Sequence, residues 1–179
     1  IDLETLNTAS DAVVLSIGVA HFGSLVSEIA GFYKVLNKDQ QLVKGRTFSA
    51  ATLAWWNKQS PEARTVLTAP KEEVRQALTD LSQFLNSRAP EIKDRYVWGN
   101  AASFDLKILE SLYKDFNIAV PWLYTNELCY RTLKELTGHK AQMPKGMVAH
   151  NAFMDAEWQA KQAEIMWDIL GIGYRMRRE

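Results

Sequence analysis

The side chains able to do chemistry gather in three short segments. The first, Asp2-Leu3-Glu4, sets two carboxylates two residues apart. On a strand they project from one face while Leu3 points to the other. Two like charges side by side repel, and burying them is costly unless they share a cation. A hard divalent ion suits such oxygen-only ligands. The second segment, Asn100-Ala101-Ala102-Ser103-Phe104-Asp105, places an acid in or near the first turn of a helix just after a strand exit. Alone it would pass for charge compensation at a helix N-terminus. The third, His150-Asn151-Ala152-Phe153-Met154-Asp155, carries a histidine five positions ahead of an acid where the chain enters its last helix. Capping by Asn151 and solvation of Asp155 would be the ordinary roles there. Each segment has a structural explanation by itself; the three together in one chain call for another.

Elements must bring these segments together. Residues 12–22 are rich in β-branched side chains, and after Gly23-Ser24 a second extended run covers 26–36, which reads as an antiparallel pair. With 1–4 as the end of a preceding strand, the first 36 residues form a three-stranded meander. Helical periodicity follows over 49–59, 61–67 and 71–87, the last preceded by Pro70. Residues 96–99 read as a short strand, 103–116 as a helix, 122–125 as a strand, 126–137 as a helix and 151–170 as a long final helix. The expectation is an α+β fold, one mixed β-sheet with helices against it, in a single domain over 1–179.

The bulk composition argues against several classes. Of 179 residues, 47% are apolar and 23% charged, as in a folded globular chain, and no run approaches the ~18 apolar residues of a membrane span. The one cysteine, Cys129, forms no intrachain disulfide and reads as an inert thiol in a reducing, cytoplasmic setting. Lys and Arg number 21, as do Asp and Glu, so the formal charge is zero. The sum conceals an asymmetry. Residues 1–33 hold Asp2, Glu4, Asp11 and Glu28 with no basic residue, whereas 34–64 hold six basic residues and two acidic ones. Arg131, Lys134, Lys140 and Lys145 precede the last helix, and Arg175, Arg177 and Arg178 lie near the chain end.

In order and context, the three segments resemble the exonuclease motifs of the DnaQ-like DEDDh superfamily of 3′–5′ exonucleases, which has an RNase H-like fold. His150 stands five before Asp155, and Asn151 four before it, so the chain is similar to the branch that uses histidine as base rather than tyrosine. Residues 55–64, beginning Trp55-Trp56, and residues 128–132 look like phage DexA-type and RNase T-like stand-alone exonucleases. The resemblance implies a two-metal phosphodiesterase. Asp2, Glu4, Asp105 and Asp155 would hold two Mg²⁺ ions (or Mn²⁺) ~3.5–4 Å apart, and His150 would act as general base. Asp2 would bridge both ions, Glu4 and Asp155 would complete one site, and Asp105 would hold the other ion. His21, within an apolar strand, reads as structural, and His139, after the Gly138 helix stop, as a loop residue. No Ser or Cys nucleophile accompanies the base, so no covalent intermediate is expected.

The substrate implied is a single-stranded DNA or RNA 3′ end, DNA favoured over RNA, with release of nucleoside 5′-monophosphates. Leu3, Thr5 and Phe104 resemble the family's contacts to the terminal nucleotides, with core packing the equal alternative for Leu3 and Phe104, and Asn100 is a further candidate substrate contact. Trp55 and Trp56 lie ~100° apart on a helix, so one packs and the other borders the substrate groove. Lys145 is a candidate phosphate contact. A phage or prophage origin, no membrane association and a homodimer are further expectations. Because only Ile1 precedes Asp2, the natural protein is expected to begin a few residues earlier. Three alternatives stand beside this reading: an RNase T-like exoribonuclease, a polymerase proofreading subunit, and a catalytically silent nucleic-acid-binding module.

Overall fold

A computed structural model describes residues 1–23 and 29–172. The expected meander is present. Strands β1 (Asp2–Thr5), β2 (Val14–His21) and β3 (Ala30–Val35) pair antiparallel in that order. Asp2 lies opposite Gly18 and Glu4 opposite Ser16, with a register shift between Glu4 and Thr5. Helices α1 (Lys38–Val43), α2 (Ala50–Trp56), α3 (Pro61–Thr68) and α4 (Val74–Arg88) follow. Then come β4 (Val97–Gly99), α5 (Asp105–Asp115), β5 (Glu127–Cys129), α6 (Tyr130–Thr137) and α7 (Ala152–Ile169). This mixed α+β architecture is compatible with an RNase H-like fold. No helix among the described residues is long and apolar enough to cross a membrane.

Three expectations need correction. Residues 122–125 are not a strand: the chain makes a 3-10 turn at Tyr124–Asn126, and the strand is β5, inside the stretch read as a helix over 126–137. What makes 127–129 extended is parallel pairing with β4, Val97 opposite Glu127, a non-local cause. The single mixed sheet is two ladders, β1-β2-β3 and β4-β5. They meet where the Ile1 nitrogen donates to the Trp98 carbonyl at 2.7 Å. Helix α1 had no apolar signature; its inward residue is Gln41, which is fully buried and bonds both the amide and the carbonyl of Val14. Part of the extended run over 26–36, and the basic residues Arg175, Arg177 and Arg178, lie outside the described residues.

The meander has two different faces. Leu3, Ile17 and Val19 pack with Val74, Leu78 and Leu81 of α4 and Leu106, Leu109 and Leu112 of α5 in the main core. Ala20 lies instead against Ala156 and Ala160 of α7. Alternation along β1 therefore sends Leu3 to the core and Asp2 and Glu4 to the face that α7 covers. Gly18 sits at the crossing of β2 and α7. A methyl group there would run into the backbone of Ala152 and Phe153, so only glycine admits the start of α7 at this depth.

Candidate active site

Asp2 and Glu4 come from β1, Asp105 from the first residue of α5, and Asp155 from the first turn of α7. Asp105 is 3% exposed, which excludes a merely solvated first-turn acid. Its two carboxylate oxygens accept from the Leu3 amide at 3.3 Å and the Ala101 amide at 3.4 Å, tying the 100–105 turn to β1. Glycine at position 99 leaves room for this, since a side chain there would press on the Asp105 carboxylate.

The approach to α7 is just as constrained. Asn151 caps the helix, its side-chain oxygen accepting from the Met154 amide at 3.1 Å. His150 adopts a left-handed backbone (φ +63°), which costs a residue with a β-carbon about 1–2 kcal/mol. The turn brings the His150 amide to Asp155 Oδ2 at 2.9 Å. The imidazole ring meets Trp55 edge-on at 4.7 Å and Trp56 at 6.5 Å between centroids. Glu4, His150 and Asp155 then present one ligand atom each within 4.8 Å of one another.

The four acids form one electrostatic unit. Burial, followed by the charges of Asp2, Asp155 and Asp105, pushes the Glu4 carboxyl up to about 9. Burial, followed by the charges of Asp105 and Asp155, raises Asp2 well above the ordinary carboxylate range. Asp105 and Asp155 are also raised, burial being the first cause for both. Glu4 is 6% exposed and its carboxylate makes no hydrogen bond among the described residues, and Asp155 Oδ1 is buried without a partner. Unpartnered acceptors in a cluster of like charge are what a divalent cation stabilises, so the donor set fits hard metal ions.

A family described as Rv2179c-like, 3′–5′ exoribonuclease Rv2179c-like domain, matches residues 1–167. The chain belongs to that family. This Rv2179c-like chain is also similar to an exodeoxyribonuclease of Enterobacteria phage T4, 27% identical over 124 residues, or 64% of the chain and 55% of the phage protein. It thus spans about half the length of that relative. No solved structure matches. The family description and the name of the phage relative both denote exonucleases.

Within the Rv2179c-like chain, the residues expected at the substrate fall in different places. Leu3 is 4% exposed and packed in the main core, because β1 alternation turns it away from the acids. Thr5 is buried, its hydroxyl donating to the Asn7 carbonyl at 2.7 Å. Phe104 is half-buried against the main core, and Asn100 holds the Arg131 amide through its carbonyl at 3.0 Å. Lys145 is exposed in the loop before His150, without an ion pair among the described residues. The two tryptophans separate cleanly. Trp56 is 1% exposed and donates its indole N–H to the Thr5 carbonyl at 2.9 Å, whereas Trp55 is 40% exposed beside His150. His139 bonds Gln162 of α7 at 2.8 Å.

One residue escaped the sequence reading. Gln159, one turn beyond Asp155 on α7, donates its side-chain amide to Asp2 Oδ1 at 2.9 Å. The signal was available in the i, i+4 spacing, which puts Gln159 on the same helix face as Asp155.

Proposed function

We propose that this chain is a metal-dependent 3′–5′ exonuclease of the DEDDh type that trims single-stranded 3′ ends one nucleotide at a time. The observation that carries the reading is the convergence of Asp2, Glu4, Asp105 and Asp155 in one buried, mutually repelling cluster with His150 at its edge. The four acids would hold two divalent ions, Mg²⁺ or Mn²⁺, which when bound supply Lewis-acid stabilisation of the charge that develops on the attacking and leaving oxygens. His150 takes the proton of the attacking water. The water oxygen bonds to phosphorus, the bond from phosphorus to the 3′ oxygen of the penultimate nucleotide breaks, that oxygen takes a proton from solvent to become the new 3′ hydroxyl, and a nucleoside 5′-monophosphate leaves. The backbone turn at His150 and the flanking Trp55 ring fix the imidazole for that transfer. The exposed part of Trp55 offers a stacking surface for a terminal base, and Lys145 a phosphate contact.

The substrate sugar is open to direct test. The family description, matched over 1–167, weighs toward RNA, and the phage relative weighs toward DNA. RNA is placed first because its support covers nearly the whole chain. End-labelled RNA and DNA oligonucleotides of one sequence, incubated with Mg²⁺ or with EDTA, decide it. Stepwise shortening from the 3′ end in Mg²⁺ alone is expected, and no cleavage of either strand overturns the reading in favour of a binding module. His150→Ala is expected to abolish trimming nearly completely while cation uptake persists; retained trimming would remove His150 from the base role.

A further inference from the structure

The acid cluster contains a second donor set of different chemistry. One ligand atom each of Glu4, His150 and Asp155 lie within 4.8 Å of one another. Two carboxylate oxygens and an imidazole nitrogen suit a borderline-soft ion, whereas Mg²⁺ takes oxygen donors and keeps water. Tetrahedral zinc with ligands at ~2.0–2.2 Å sets its donors ~3.3–3.6 Å apart, so side-chain rotations of about 1 Å close the set.

Independent features hold the imidazole and the acids in place for such an ion. The His150 amide is anchored on Asp155 Oδ2 at 2.9 Å, and the ring is confined by Trp55 and Trp56. The carboxylate of Glu4, a residue 6% exposed, has no hydrogen-bond partner among the described residues, and Asp155 Oδ1 is buried and unpartnered.

We infer that Glu4, His150 and Asp155 form a zinc site, and that Zn²⁺ bound there silences the enzyme. The inhibitory half rests on the proposed role of His150 as base. A neutral imidazole has one nitrogen lone pair, and a nitrogen that ligates zinc has none left to accept a proton from water. Glu4 and Asp155 are shared with the Mg²⁺ set, so the two metals compete.

The test uses ZnCl₂ and MnCl₂ separately, titrated calorimetrically into metal-free protein. His150→Gln is expected to weaken Zn²⁺ by at least the ~10–100-fold that losing even an outer-shell partner costs, and to leave Mn²⁺ little changed. Asp105→Asn is expected to do the reverse. Equal zinc affinity in wild type and His150→Gln, or a zinc loss in Asp105→Asn as large as that in His150→Gln, overturns the site. The unsubstituted protein provides a second measurement: Zn²⁺ should shift the His150 ring resonances in the NMR spectrum and Mg²⁺ should not, and an unmoved His150 signal at saturating zinc also overturns it. Trimming assays then separate the two claims. Absence of Mg²⁺-dependent trimming defeats the exonuclease reading while the zinc titration still decides the site, and undiminished trimming by zinc-loaded protein defeats the inhibition.

Discussion

Two regions of this molecule bury charge, and they treat it in opposite ways. Arg46, 3% exposed, spends its guanidinium completely. It donates to the carbonyls of Ala12, Ser10 and Ile108, to the Ser111 hydroxyl, and to Asp115 Oδ2 at 2.7 Å. Under α7, in contrast, four carboxylates repel one another, the Glu4 carboxylate has no hydrogen bond among the described residues, and one oxygen of Asp155 is orphaned. A buried charge that serves the fold arrives with its partners; one that serves chemistry is left wanting a partner from outside.

Substitutions should pull these regions apart. Asp2→Asn is expected to cut trimming by ~10³-fold or more while the metal-free protein melts no lower than wild type, because one repelling charge is gone. Arg46→Met should do the opposite. It strands buried carbonyls and Asp115, with a loss of about 3 kcal/mol in denaturant melts, and the folded fraction still trims at the wild-type rate. If Asp2→Asn destabilises and Arg46→Met does not, the contrast is void.

A smaller effect is expected at Gln159. Gln159→Leu removes the amide that holds Asp2 but not a ligand, so cation affinity measured by calorimetry should drop by ~10–100-fold with the fold intact. Unchanged affinity would make that hydrogen bond incidental.

A further effect is one of pH. The folded-state value for Glu4 is raised from 4.5 to about 9, so the folded protein binds more protons than the unfolded chain between those values. Stability contributed by the neutral carboxyl is therefore fully present below about pH 4.5 and is lost as pH rises through about 9. Thermal melts of the metal-free protein should fall over that window, and saturating Mg²⁺ should flatten the fall. Arg46 contributes no such slope there. A metal-free melting curve that is flat or rises with pH would contradict the clustering of the acids.

Much of this was legible in the sequence because the causes are local. The period-two spacing of Asp2 and Glu4, the glycine-terminated strand before Asp105 and the Asn151 cap each write their structure into a few adjacent residues. What escaped is non-local. Gln41 anchors α1 through hydrogen bonds to Val14, which no apolar pattern reports. Residues 127–129 are extended only because β4 lies beside them. Trp55 and Trp56 are indistinguishable by spacing, and the Thr5 carbonyl, fifty-one positions from Trp56, decides which one is buried. The burial of Leu3 was half visible, since alternation on β1 already turned it from the acids.

The central claim is that the four acids are arranged for cations. Calorimetric titration of Mn²⁺ into wild type and Asp2→Asn tests it most directly. The arrangement predicts two ions bound per wild-type chain and the loss of both sites in Asp2→Asn. No uptake by wild type, or uptake by Asp2→Asn equal to that of wild type, would contradict it.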